Sequence, residues 1–84
     1  MYAIYGLKTC DFCLRALNLL HEKGVQFSYY PLDEQEGIME YMKKCYNHKT
    51  VPMVVYSVNG EEEFIGGYDD LVKHFRQQED KKSN

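Results

Sequence analysis

The sequence predicts an α/β domain with a four-stranded mixed sheet and three helices, in the order βαβ-α-ββ-α. An apolar strand leads into a helix that opens with Cys10-Asp11-Phe12-Cys13, and a second strand follows that helix. Asn59-Gly60 then marks a tight hairpin between two further strands. Because a strand–helix–strand unit makes a right-handed parallel crossover, the antiparallel hairpin completes a mixed sheet.

The spacing of apolar residues predicts the first strand–helix–strand unit. Residues 1–6 are apolar and aromatic, as in a strand buried on both faces. Lys23-Gly24 supplies a helix stop, and residues 26–30 form the second strand. Helical spacing of the inward positions is shown by Cys13, Ala16, Leu17 and Leu20.

The second half of the chain contains a helix, a hairpin and a last helix. Residues 34–46 are predicted to be helical, with Asn47-His48-Lys49 ending the segment. Residues 53–56 and 61–65 are predicted to be the hairpin strands. The last helix follows two glycines, and its inward-facing residues are predicted to be Leu71, Val72 and Phe75. This order of elements is that of the thioredoxin-like fold.

Length and composition indicate a single domain, which we place at residues 1–78. With 84 residues, 44% of them hydrophobic, the chain can form a packed core without disulfides. Residues 79–84 are polar and are predicted to fray. We expect a monomer.

Charge and cysteine usage exclude several classes of function. Three cysteines, an odd number, do not suit a secreted disulfide framework. Met1 stands directly in the first strand, so we expect no leader, and no apolar stretch approaches the ~18 residues of a membrane span. With a net charge of −3 and scattered basic residues, nucleic-acid binding is not expected. We therefore predict a cytoplasmic protein.

The two cysteines of the first helix predict thiol–disulfide chemistry, in which only a thiolate attacks. Cys10 stands at the predicted N-cap, where the amides of Phe12 and Cys13 and the helix dipole favour a negative charge. Lys8 adds a cation, whereas Asp11 opposes the thiolate. Cys10 is therefore the predicted nucleophile, and Cys13, one turn inside, the resolving thiol.

Two further motifs suit the binding of a peptide-like ligand. In Thr50-Val51-Pro52, a cis bond before the proline would leave the Val51 backbone free to pair with a peptide, while a trans proline that starts the strand is the alternative. In Gly66-Gly67-Tyr68-Asp69-Asp70, the glycines permit close approach and Asp69 can cap the last helix, whose amides would hold a carboxylate. Either aspartate can pair with an ammonium group. An ordinary glycine turn is the alternative here.

In order and spacing these motifs resemble those of the dithiol glutaredoxins, over residues 1–78. Lys8-Thr9-Cys10-x-x-Cys13 resembles the active-site loop, Thr50-Val51-Pro52 the cis-proline segment, and residues 66–70 the glutathione-binding turn. Thioredoxins usually carry a tryptophan before the first active-site cysteine, and this chain has no tryptophan.

The resemblance implies glutathione-dependent reduction of protein disulfides and of glutathione mixed disulfides, with no tightly bound cofactor. It implies that Lys8 and Asp70 contact the two ends of glutathione, that Val51 pairs with its cysteinyl backbone and that Asp69 holds the γ-glutamyl end. The implied groove also includes Phe12, Thr50, Pro52 and Gly67. The implied partners are glutathione and disulfide-bonded or glutathionylated proteins, ribonucleotide reductase among them.

Two alternatives use the same cysteines. The loop reads Cys-Asp-Phe-Cys where the family usually has Cys-Pro-Tyr-Cys, and members that carry an iron–sulfur cluster between two subunits, through Cys10 and glutathione, often lack that proline. A zinc site would use Cys10, Cys13, Cys45 and His48, but the last two fall near the far end of the second helix, so no metal is expected.

Three other residues are given structural interpretations. Cys45 is predicted to be a buried or half-buried helix residue, with regulatory glutathionylation or dimerisation as the alternative. His21 and His74 fall on polar helix faces and are expected to be solvated.

Overall fold

The computed structural model describes residues 1–82, with side chains described through residue 77. The elements follow the predicted order. Their bounds are β1 Tyr2–Gly6, α1 Asp11–Glu22, β2 Phe27–Pro31, α2 Glu36–Cys45, β3 Met53–Val58, β4 Glu61–Gly66 and α3 Tyr68–Lys82.

The four strands form one mixed sheet in the order β2-β1-β3-β4. β1 pairs parallel with β2 and antiparallel with β3, and β3 pairs antiparallel with β4. The hairpin turn has positive φ at both central residues, 53° at Asn59 and 81° at Gly60, as a two-residue primed turn requires. The predicted α/β fold is confirmed.

Local signals end the first two helices. Gly24 follows the last turn of α1 with φ 69°. At the end of α2, Asn47 adopts φ 51°, its N–H donates to the Lys44 carbonyl, and the His48 N–H donates to the Lys43 carbonyl. This pair of bonds is a Schellman motif, which turns the chain sharply after α2.

The core lies on both faces of the sheet. On one face α1 and α3 bury Ala16, Leu20, Leu71 and Phe75 against the strands. On the other face, Met42 of α2 packs with Leu32 and Met53. The buried strand positions on the first face are Tyr2, Ile4 and Val54.

The prediction that Cys45 is buried or half-buried is wrong, because its side chain is exposed. The inner face of α2 is set by Met39, Met42 and Tyr46, which pack in the second cluster. This spacing of three and four residues leaves Tyr41 and Cys45 on the outer face of the helix.

The proposed boundary at residue 78 stays a prediction. The backbone of α3 is helical through Lys82, which differs from the frayed tail predicted from Glu79, and residues 83 and 84 lie outside the described residues. No glycine or proline interrupts residues 79–82, so nothing in their sequence breaks the helix. Within residues 1–82, no helix combines the length and hydropathy needed to cross a membrane.

His74 is half-buried, contrary to its predicted exposure, whereas His21 is exposed as predicted. The side chain of His74 packs edge-on against Tyr2, and its Nε2 lies 2.8 Å from the Tyr2 hydroxyl oxygen. These two residues are 72 positions apart, so the pairing exists only in the folded chain. Burial lowers the pKa of His74, while the carboxylate of Glu63 opposes that effect.

Stability should therefore fall when the pH drops below the ordinary histidine pKa of about 6.5. Below that value the unfolded chain takes up a proton at His74 that the folded chain resists, so the contribution present at higher pH is lost as the pH falls through the lowered folded-state pKa. Between about pH 7 and about pH 5, the loss of melting temperature should be smaller in His74→Gln than in the wild-type protein. An equal loss in the two proteins would contradict this prediction.

Candidate active site

Cys10 occupies the N-cap of α1, as the sequence predicts. Its backbone is extended, and its Sγ accepts a hydrogen bond from the Cys13 N–H at 3.2 Å. The free amides at this helix end and the helix dipole stabilise a negative sulfur. In the thiol form, Cys10 also donates to the Val51 carbonyl at 3.8 Å. Of the two predicted amide donors, the structure shows the one on Cys13.

Cys13 lies behind Cys10 and is 1% exposed. Burial, together with the hydrogen bond to the Cys10 thiol, raises the pKa of Cys13 to about 12. Gly6 makes room for it, because a Cβ at Gly6 would lie 2.5 Å from the Cys13 Sγ. The two thiols thus differ as predicted, with a half-exposed sulfur in front and a buried, protonated one behind it.

Alkylation should distinguish the three thiols by their reactivity. We expect iodoacetamide near neutral pH to modify half-exposed Cys10 and exposed Cys45 in the native protein, and to leave Cys13 unmodified because it is buried and protonated. Mass spectrometry of the digested protein gives the sites. As the control, protein unfolded in guanidinium chloride should be modified at all three. Native modification of Cys13 as fast as that of Cys45 would refute the prediction.

A groove of about 370 Å³ lies beside Cys10, and seven of the eight predicted ligand-binding residues line it. Its size is within the range of small-molecule sites, roughly 300–1,000 Å³. The groove brings together parts of α1, the segment before β3 and the start of α3. The seven predicted residues are Phe12, Thr50, Val51, Pro52, Gly67, Asp69 and Asp70.

The floor and one side of the groove come from residues 50–52 and from α1. The Val51–Pro52 peptide bond is cis, the first of the two alternatives. The Val51 carbonyl joins the groove to the sulfur of Cys10 through the 3.8 Å contact. Phe12 is 51% exposed, and its ring lies 6.1 Å from the Tyr68 ring, centroid to centroid. An apolar wall therefore stands directly beside the nucleophile.

The opposite end of the groove is formed where β4 meets α3. The prediction that Asp69 caps α3 is wrong, because the helix begins at Tyr68 and places Gly67 at the N-cap. Asp70, in the first turn, accepts a hydrogen bond from the Gly67 N–H at 3.1 Å. This is the reciprocal half of a capping box, which needs the acid three residues after the N-cap. Asp69 is exposed and lines the groove.

Lys8 is the predicted ligand-binding residue that does not line the groove. It borders a smaller depression of about 190 Å³ on another side of Cys10, together with Leu14 and Tyr29. The backbone N–H of Lys8 lies 3.1 and 3.2 Å from the two carboxylate oxygens of Asp33. Asp33 holds the active-site loop because parallel β1 and β2 end at the same edge of the sheet.

Sequence reasoning missed His48 and Tyr68 as groove residues. The Schellman motif directs His48 back toward the sheet, where its ring packs edge-on against Phe64, with a 5.4 Å centroid distance. Its Nε2 lies 3.4 Å from the Thr50 Oγ1. The sequence feature that indicates this turn is Asn47, because asparagine tolerates positive φ at a helix end. For Tyr68, the sequence indicated only that it belongs to the turn before the last helix.

The zinc site considered from the sequence would need its four ligands close together. Among the described side chains, no group of three or more His, Cys, Asp or Glu residues is positioned to hold a metal ion. Cys45 lies on the outer face of α2, whereas Cys13 is buried behind Cys10.

The glutaredoxin family model matches residues 3–62. The chain belongs to the glutaredoxin family. It is therefore a thiol oxidoreductase of the thioredoxin-like fold, and Cys10 and Cys13 stand in the matched region.

Individual relatives agree with this assignment. Glutaredoxin 3 of Escherichia coli is 40% identical over 68 residues, which cover 81% of this glutaredoxin and 77% of that protein. The structure of wheat glutaredoxin superposes with a TM-score of 0.77 at 26% identity, covering 89% of this chain and 70% of that one. A buckwheat glutaredoxin–glutathione complex gives a TM-score of 0.79 at 22% identity, covering 92% and 69%, a likeness of fold alone.

Proposed function

We propose that this glutaredoxin uses glutathione to reduce glutathione mixed disulfides and protein disulfides. The observation that carries the proposal is the groove of about 370 Å³ that meets the Cys10 sulfur through the Val51 carbonyl. Glutathione is a peptide-like molecule with a thiol near its middle and charged groups at its ends. A groove with a nucleophilic sulfur beside it and polar groups at its far end suits that molecule.

The chemistry of the groove wall supports the assignment of each part of the ligand. The carboxylate of Asp69 suits the ammonium of the γ-glutamyl end, and the N-terminus of α3 suits the adjacent carboxylate. The Val51 backbone suits the cysteinyl peptide groups, and the Phe12 ring covers the apolar middle. Asp70 is engaged with the Gly67 N–H, so we assign it the shaping of the turn in addition to ligand contact.

The reaction on a mixed disulfide needs Cys10 alone. The Cys10 thiolate attacks the glutathione sulfur, the disulfide bond breaks, and the protein thiolate leaves and takes a proton from water. A second glutathione thiolate then attacks the glutathione sulfur on Cys10, which releases oxidised glutathione and restores the Cys10 thiolate. The net reaction consumes one free glutathione, since the other half of the oxidised glutathione comes from the mixed disulfide itself.

The reaction on a protein disulfide adds Cys13. After Cys10 has formed the mixed disulfide with the substrate, Cys13 loses its proton, attacks the Cys10 sulfur and releases the second substrate thiol. Two glutathione molecules then reduce the Cys10–Cys13 disulfide. Because the pKa of Cys13 is raised to about 12, few of these thiols are ionised near neutral pH, and this route should be the slower one.

The proposed setting is the cytoplasm, where glutathione keeps thiols reduced, and the odd number of cysteines supports a reducing compartment. The proposed partners are glutathionylated and disulfide-bonded proteins, with ribonucleotide reductase as one candidate. Glutathione enters as co-substrate, without a tightly bound cofactor, and the protein acts as a monomer.

The test is turnover of a small glutathione mixed disulfide, coupled to NADPH oxidation by glutathione reductase. We expect turnover of the glutathione mixed disulfide and a much lower rate when cysteamine, which lacks both ends of the tripeptide, replaces the glutathione half of that substrate and the loss of the mixed disulfide is followed directly. Equal rates with the two mixed disulfides would remove the proposed recognition of glutathione. No turnover, together with visible absorbance of anaerobically purified protein, would favour the iron–sulfur carrier.

A further inference from the structure

A basic depression lies beside the groove at the C-terminal end of α2. It has a volume of about 360 Å³ and shares His48 with the groove. We name it the basic patch. Its lining residues are Glu40, Lys43, Lys44, Asn47, His48 and Lys49.

The basic patch reverses the charge of the rest of the chain. Residues 43–49 contain three lysines and no acidic residue, whereas the whole chain has a net charge of −3, so the remaining residues together carry −6. Glu40 offsets part of this charge, since its Oε1 lies 4.0 Å from the Lys43 Nζ. Lys44 and Lys49 are exposed, and among the described side chains neither has an ion-pair partner.

Helix stabilisation explains only part of this cluster. Lysines in the last turn of a helix interact favourably with the negative end of its dipole, which accounts for Lys43 and Lys44. Lys49 lies beyond the helix, in the segment that leads to the groove. The cluster therefore extends from the helix end toward the site of chemistry.

The basic patch is close enough to Cys10 to contact a substrate that reacts there. Lys49 stands two residues before Val51, so their Cα atoms are at most about 7 Å apart. The Val51 carbonyl lies 3.8 Å from the Cys10 sulfur. In the proposed attack the glutathione sulfur meets Cys10, and the peptide's cysteine sulfur lies one disulfide bond, about 2 Å, beyond it. The peptide therefore reaches the basic patch with residues about two to four positions from that cysteine.

We propose that the basic patch binds acidic side chains of the protein half of the substrate. The preferred substrates are then proteins with aspartate or glutamate about two to four residues from the glutathionylated cysteine. The inference rests on the proposed function, because glutathione must occupy the neighbouring groove. Exposed charge pairs are individually weak, so the preference comes from several acting together.

The experiment compares two glutathionylated peptides that differ only by Asp and Glu against Asn and Gln near the cysteine. At low salt, wild-type kcat/KM should favour the acidic peptide by about 3- to 10-fold, and salt should reduce that preference. Lys44→Gln/Lys49→Gln should bring the ratio close to one and leave turnover of a small mixed disulfide unchanged. The matched control, Lys73→Gln/Arg76→Gln, removes two exposed positive charges from α3 and should keep the preference.

The possible negative results distinguish a failure of this inference from a failure of the proposed function. Equal wild-type activity on the two peptides would overturn the inference and leave the proposed function standing. If Lys44→Gln/Lys49→Gln lowered activity equally on both peptides and on the small mixed disulfide, the lysines would serve glutathione, which also overturns the inference. Wild-type inactivity on all three substrates would overturn the proposed function and this inference with it.

Discussion

Replacing Cys10 with serine is expected to lower glutathione-dependent turnover of a small mixed disulfide by at least about 10³-fold. The hydroxyl is not ionised near neutral pH and forms no disulfide, so the first step is lost. Cys13 should not replace Cys10, because it is 1% exposed and burial raises its pKa to about 12. The measurement is the assay coupled to glutathione reductase, with folding of the variant checked by circular dichroism.

Cys13→Ser is the matched variant, since it changes the neighbouring thiol in the same way. It should keep most of the activity on the mixed disulfide and lose more of the activity on a protein disulfide, because only the second reaction uses a resolving thiol. Activity that survives in Cys10→Ser and disappears in Cys13→Ser would reverse the two assigned roles.

Replacing Gly66 with alanine is expected to cost about 2–3 kcal/mol of the free energy of unfolding. Gly66 has φ 121°, and a Cβ there would lie 2.8 Å from the Cγ and 2.9 Å from the Cβ of Asp70. Asp70 would have to move and give up its hydrogen bond with the Gly67 N–H. Since this turn forms one end of the groove, the KM for glutathione should rise as well. Chemical denaturation and steady-state kinetics measure the two effects.

Two other glycines serve as controls for this substitution. Gly24 also has positive φ, 69°, but no atom lies within 4 Å of the point that an added Cβ would occupy, so Gly24→Ala should cost only about 1 kcal/mol. Gly37 lies in α2 with open space around it, and Gly37→Ala should be neutral or stabilising by up to about 1 kcal/mol. If Gly66→Ala lowered the free energy of unfolding no more than Gly24→Ala does, the close approach of Asp70 to Gly66 would make no contribution to stability.

The features predicted correctly from the sequence are those that depend on near neighbours along the chain. The N-cap position of Cys10 follows from the strand-to-helix turn, and the hairpin follows from Asn59-Gly60, whose residues tolerate positive φ. The inward face of α1 follows from the spacing of Cys13, Ala16 and Leu20. In each case a few adjacent residues determine the local backbone geometry.

The mistaken predictions have equally specific causes. In α2, apolar residues occur on two faces, so their spacing alone does not say which face is buried, and the prediction for Cys45 selects the wrong one. The prediction for Asp69 fails because it starts α3 too late, whereas Gly67 and Asp70 form the cap. A single acidic residue in a run of two cannot be assigned before the helix start is known.

By itself, the sequence determined the order of elements, the fold class and the position of two cysteines at a helix start, because apolar periodicity and turn residues act over a few positions. Only the tertiary structure decided which distant residues meet. It placed His48 in the groove, brought Asp33 to the Lys8 loop, and paired Tyr2 with His74 across 72 positions. These contacts depend on how the sheet and the helices pack together, and no local pattern of residues encodes that packing.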